Sequence, residues 1–187
     1  MNLSRLLLFT NSPALSRLLG AVILVAALVI PLHASTLSGT FDGVGTLTPT
    51  GTPGILTQNF TGDGTDATFG AFTIAGVSTI DFSDPPQFVI TSGTVTLTFG
   101  TGKLFGNSSG EGTGNNHGMG TFEGDFLITG GTGPFDGFTG TLAVTGTIDR
   151  TSPTTETINA SYSPTPEPST LALLATGLLG FGLRRRR

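Results

Sequence analysis

The 187-residue chain has no cysteine, no tryptophan and a single tyrosine, and charged side chains make up only 11% of it. Without cysteine, disulfides, thiolate nucleophiles and zinc–thiolate centres are excluded together. Any folded part must be held by its core alone. Basic residues are scarcest in the middle of the chain. Arg5, Arg17 and Arg184 to Arg187 stand at the two ends, and between Ser35 and Thr165 only Lys103 and Arg150 face eleven Asp and Glu, a net charge of −9. Binding a phosphate backbone needs Lys and Arg to displace its condensed counterions, so a segment this acidic argues against nucleic acid as a partner.

The N-terminal region lacks an apolar run long enough to cross a bilayer. Leu18 to Ile30 is thirteen residues, roughly 20 Å of helix against a hydrocarbon core of about 30 Å. A basic lead with Arg5 and Arg17 precedes it, and Pro31-Leu32-His33-Ala34 follows it. This order predicts a secretory signal peptide over residues 1–34, cut after the small Ala34. The secretion translocon and a signal peptidase are its implied partners.

The C-terminus runs the same parts in reverse. Apolar Leu171 to Leu183, interrupted by Gly177, Gly180 and Gly182, ends in Arg184, Arg185, Arg186 and Arg187. Carrying arginine through hydrocarbon costs about 3 kcal/mol per residue, so the cluster stays cytoplasmic and everything between the two basic ends lies outside. Pro166 and Pro168 lack backbone donors and push their predecessors away from helix. Thr165 to Pro168 is therefore expected to be extended and exposed, the form in which a protease binds its substrate.

Pro166-Glu167-Pro168, the apolar segment and the arginine cluster, in that order at the end of a chain with an N-terminal signal, resemble the PEP-CTERM sorting signal of Gram-negative bacteria. The resemblance implies processing near the Pro-Glu-Pro motif by exosortase, a membrane-embedded cysteine protease. It also implies a transient stay in the inner membrane, delivery to the cell envelope or extracellular matrix, and an association with exopolysaccharide. It covers residues 166–187 and implies nothing about the fold of residues 35–165.

That middle segment is rich in glycine, threonine and phenylalanine. In Phe138-Thr-Gly-Thr-Leu-Ala-Val-Thr-Gly-Thr-Ile148, Phe138, Leu142, Val144 and Ile148 share one face and Thr139, Thr141, Thr145 and Thr147 the other. Period two over such a length predicts a half-buried strand. Thr94 to Phe99 and Phe122 to Ile128 repeat it. Weaker strands are expected at Leu37–Leu47, Ile55–Phe60, Thr68–Ala75, Val77–Phe82, Gln87–Ile90 and Thr155–Tyr162, with no helix between Ser35 and Thr165. Eight or so short antiparallel strands hide their apolar faces either in a closed barrel or in a two-sheet sandwich. Gly124, Gly140 and Gly146 inside strands suit barrel bends or sandwich bulges alike.

Phe126 to Gly140, with Gly130-Gly131-Thr132-Gly133 followed by Phe135, resembles the strand-turn-strand of the allene oxide cyclase and dirigent barrels. The resemblance implies a small antiparallel β-barrel and brings no catalytic residue with it. The expected architecture is thus all-β, a barrel over residues 35–165, flanked by an N-terminal signal helix and a C-terminal membrane helix over residues 166–187.

Chemistry in the middle segment is sparse. His117 sits in the glycine-rich stretch Gly106 to Gly120, read as an exposed loop too loose to hold a catalytic side chain. Asp63, Asp66, Asp81, Asp84 and Asp136 are loop oxygens of the kind calcium takes, without an EF-hand spacing to organise them; Asp before Gly is ordinarily a turn former. No metal, cofactor or catalytic residue is assigned, and no enzymatic activity is expected. Two other functions remain open. One is a barrel whose interior takes a small apolar ligand. The other is ice or glycan binding through Thr94, Thr96 and Thr98, spaced about 7 Å apart on one strand face.

Overall fold

The computed structural model describes residues 37–114 and 118–165. The signal segment, His117 and everything from Pro166 onward, including both expected flanking helices, lie outside these residues. Eight antiparallel strands follow one another as an up-and-down meander: β1 (Gly39–Pro49), β2 (Ile55–Asp66), β3 (Gly70–Asp81), β4 (Gln87–Phe99), β5 (Gly102–Thr113), β6 (Gly118–Thr132), β7 (Gly140–Ser152) and β8 (Thr155–Pro164). Each pairs with its sequence neighbour, and β8 returns to pair with β1 from Gly39↔Tyr162 to Thr46↔Thr155, closing the barrel. Closure leaves no bare edge strand, so the sandwich is ruled out.

Alternation decides what faces where. On β4, Val95, Leu97 and Phe99 are buried while Thr94, Thr96 and Thr98 face outward. Phe126 and Ile128 on β6 and Leu142 and Ile148 on β7 point inward as their period-two pattern requires. Each fully buried side chain of this kind contributes about 1.5–3 kcal/mol by leaving water. The exterior carries Asp42, Asp63 and Asp125 on strand faces. A barrel facing lipid would show an apolar band there, so this barrel is built with the opposite polarity. Among the described residues no helix is long and apolar enough to cross a membrane.

The structure corrects several strand limits. Thr68–Ala75 and Val77–Phe82 are one strand, because Gly76 continues the pairing opposite Phe60 on β2 and Val95 on β4. Gln87–Ile90 and Thr94–Phe99 are likewise one strand, bridged by an irregularity between Ile90 and Gly93. Strand β5 was not expected: residues 106–113, read as loop, alternate glycine and serine inward with Asn107, Ser109 and Glu111 outward. Phe138 lies before β7, not in it, yet is buried.

One rim of the barrel gathers Leu37 and Ser38, Thr165 and the connections 67–69, 100–101 and 133–139. It is plugged by aromatic rings. A short 3₁₀ turn, Gly133–Phe135, with φ +66° at Gly133, turns the chain so that Phe135 drops into the opening and is fully buried. Its ring lies 4.8 Å, centroid to centroid, from both Phe69 and Phe99, and Phe138 meets it edge-on at 5.8 Å. Asp66 fastens this rim by accepting backbone N–H bonds from Ser38, Thr68 and Phe69.

Candidate functional site

The opposite end of the interior holds a buried polar group that the sequence did not single out. Gln58 on β2, Arg150 on β7 and Glu156 on β8 all occupy inward positions. Arg150 Nε donates to Glu156 Oε2 at 2.9 Å, and Gln58 Nε2 donates to Glu156 Oε1. Room for the carboxylate comes from β1: a Cβ on Gly45, paired with Glu156 in register, would stand 2.9 Å from its Cγ. The guanidinium lies over the Phe82 ring at 4.2 Å and near the Phe88 ring at 5.6 Å, rings supplied by the two ends of the β3–β4 connection. Stacking on aromatic faces and a fixed carboxylate partner suit arginine's planar, weakly hydrated cation.

Between this polar group and the aromatic plug the interior retains a cavity of about 90 Å³. Its walls are mostly apolar, among them Phe60, Ile74, Val95, Phe122, Phe126 and Ile158, and the polar trio stands at its margin. Ser78 and Ser108 also line it, their hydroxyls separated by the missing side chain of Gly93: a Cβ there would meet Ser108 Oγ at 2.3 Å and Ser78 Oγ at 2.5 Å. Ser108 Oγ is buried and has no hydrogen-bond partner among the described residues. Ligand pockets typically run from about 300 to 1,000 Å³. A space of this size holds about three waters, or a molecule of a few heavy atoms.

Near the plugged rim Tyr162 Oη donates to Asp66 Oδ2 at 2.9 Å. Burial, then the bond to Asp66 and its charge, pushes the phenol well above the ordinary tyrosine range. This pair is structural, since Asp66 also holds the three backbone amides of the rim. The other aspartates do not converge with it. Asp63 lies on the outer face of β2, Asp136 in the exposed turn before β7, and Asp81 is held below the usual carboxylate range by the Ser83 side chain and then by the Ser83 N–H, which donates to it at 2.8 Å.

Thr94, Thr96 and Thr98 are on the exterior. Thr94 and Thr96 border a shallow outer depression of about 440 Å³, but exposed Val44 and Val77 border it too, so the threonines do not form an unbroken array. The expected sorting residues Pro166, Glu167, Pro168 and Arg184 to Arg187 lie outside the described residues. What the structure does place is their point of attachment: β8 runs to Pro164, which pairs with Leu142, and Thr165 N donates to Thr141 O at 3.0 Å.

Residues 164–187 match the family model of the PEP-CTERM protein-sorting motif. The chain therefore carries that motif, which implies processing by an exosortase-like enzyme and export toward the cell envelope or the extracellular space. No curated protein and no solved structure matches the chain, so the likeness of the Gly130–Gly137 turn to the allene oxide cyclase and dirigent barrels rests on those residues alone.

Proposed function

We propose that the chain is an exported, non-enzymatic barrel of the envelope or extracellular matrix of a Gram-negative bacterium. Residues 171–183 hold it for a time at the inner membrane, the arginine cluster remaining cytoplasmic, and cutting near Pro166 to Pro168 releases it. The observation that carries this reading is the sorting motif at residues 164–187, which begins inside the last barrel strand. Supporting it, the buried carboxylate of the interior is already engaged within the protein: Glu156 accepts from both Gln58 and Arg150. An acidic exterior and a core closed without disulfides also suit a domain that works after export. The test is to express the full chain with and without the processing enzyme and compare masses. Loss of the Arg184 to Arg187 tail only when the enzyme is present supports the reading, and an intact tail in both cultures sinks it.

A second reading, a barrel taking a small apolar ligand, is favoured by the cavity and its buried Ser108 hydroxyl. It predicts that a benzene-sized probe raises the melting temperature in a concentration-dependent way. No change up to the solubility limit of the probe would remove it.

A further inference from the structure

The last residue tied into the barrel and the first residue of the apolar tail are separated by very little chain. Thr165 is hydrogen-bonded to Thr141 on β7, and Leu171 opens the apolar run, so only residues 166–170, two of them proline, lie between. Six fully extended steps span at most about 20 Å. The headgroup layer on one side of a bilayer takes up roughly 5–7 Å of that. Strands of 10 to 15 residues, tilted as in other small barrels, make a cylinder about 30 Å tall. The tether is shorter than the barrel.

A short tether alone permits two poses, standing on the rim that carries Thr165 or lying on a flank. Charge separates them. At the plugged rim the exposed charged side chains among the described residues are Lys103 and Asp136, which cancel; around them stand Thr68, Thr101, Pro134 and Thr139. The flanks carry Asp42, Asp63, Glu123 and Asp125, and the far rim Asp81, Asp84, Glu111 and Asp149. An anionic leaflet repels carboxylates within a Debye length and leaves a neutral rim alone. Outside the described residues the sequence adds one charge of each sign within two residues of this rim, the ammonium of the expected mature N-terminus at Ser35 and the carboxylate of Glu167, which also cancel.

We propose that, before its tail is cut, the barrel stands on the membrane with the plugged rim, built from connections 67–69, 100–101 and 133–139, seated against the lipid headgroups and its acidic far rim directed away. This rests on the reading of residues 171–183 as a membrane segment. Its consequence is that the processing enzyme, cutting within a few residues of Thr165, which is bonded to Thr141 at the start of β7, works close to the rim and to the membrane surface.

The absence of cysteine makes the test direct. Thr101→Cys and Thr139→Cys at the plugged rim, and Thr52→Cys and Thr154→Cys at the far rim, are each labelled with one fluorophore in the chain that retains its tail. The protein is reconstituted in vesicles of phosphatidylethanolamine and phosphatidylglycerol carrying headgroup spin labels. Several-fold stronger quenching at positions 101 and 139 than at 52 and 154, abolished when the tail is removed, is the expected result. Equal quenching at both rims in protein that floats with the vesicles overturns the standing pose while leaving the anchor intact. Rim quenching that appears only with the processing enzyme assigns the surface to that enzyme and not to lipid. Protein that fails to float with the vesicles overturns the anchor reading itself, and the pose falls with it.

Discussion

Arg150 and Glu156, on neighbouring strands β7 and β8, form an ion pair of 2.9 Å with both side chains almost wholly shielded from solvent. Removing one partner leaves a buried charge without compensation, at a cost of about 3–5 kcal/mol, whereas removing both leaves no uncompensated charge and only the Gln58 amide without its acceptor. Arg150→Met and Glu156→Gln are each expected to lose stability on that scale in urea unfolding. Arg150→Met combined with Glu156→Leu should lose much less than the sum of the two. Single variants within about 0.5 kcal/mol of the parent would show that the pair is not buried as described.

Tyr162 is the sole tyrosine, and its raised pKa has a sign that can be read directly in solution. An unfolded chain ionises its tyrosine near pH 10. The native phenol, buried and bonded to Asp66, stays neutral beyond that point. The stabilisation is therefore whole below about pH 10 and is lost as pH rises further, because only the unfolded state gains the charge. The phenolate absorbance should appear together with the loss of the β circular-dichroism signal, not before it. Tyr162→Phe should cost about 1.5–3 kcal/mol at neutral pH, the range for a bond to a charged acceptor, and remove this part of the alkaline dependence. A phenolate band rising near pH 10 in folded protein would refute the burial.

How far the fold could be read in advance differs strand by strand. β4, β6 and β7 declare themselves because Val95, Leu97 and Phe99, or Phe126 and Ile128, alternate with threonine or acid. β5 did not, because its inward positions 106, 108, 110 and 112 are Gly, Ser, Gly and Gly; a hydrophobic period is invisible where the inward side chain is absent. These glycines and their β6 partner have a role that only the paired structure reveals: a Cβ on Gly110 would stand 2.5 Å from Glu123 O, and Gly110 pairs with Gly124. A Cβ on Gly124 of β6 would stand 2.3 Å from Ser109 O and 2.9 Å from Gly110 Cα. The interior polar trio was hidden for a related reason: Gln58, Arg150 and Glu156 are separated by up to 98 residues in sequence, and only closure of β8 onto β1 and β7 brings them together. The sorting tail, in contrast, is a linear signal and needs no fold to be recognised.

Gly124→Ala follows from that geometry. The added methyl meets backbone, which cannot rotate away, so the β5–β6 pairing must shift. A loss of about 1–3 kcal/mol, the usual range for overpacking, is expected, together with faster amide exchange on β5 than on β2. Unchanged stability would mean that the wall is looser than its Cβ distances imply.

The plug at the rim invites a paired comparison. Phe135 is fully buried among Phe69, Phe99 and Phe138, while Asp136 beside it is exposed. Phe135→Ala should cost about 3–5 kcal/mol and Asp136→Ala within about 0.5 kcal/mol, both by denaturant titration. Similar small effects for the two would place the 133–139 turn outside the core.

Ser108 separates the two readings of the interior. Its hydroxyl is buried against the cavity with no partner among the described residues, and an unsatisfied buried polar atom costs about 1–3 kcal/mol. If the cavity is empty, Ser108→Ala removes that cost and the protein gains stability. If a bound molecule or an ordered water accepts or donates to Ser108 Oγ, the same change breaks a hydrogen bond and stability falls. Ser78→Ala provides the comparison, since that hydroxyl also lines the cavity, across Gly93 from the first. A cavity of about 90 Å³ that stays dry leaves the matrix reading standing by itself, and we expect Ser108→Ala to stabilise the barrel by up to about 1 kcal/mol relative to the parent.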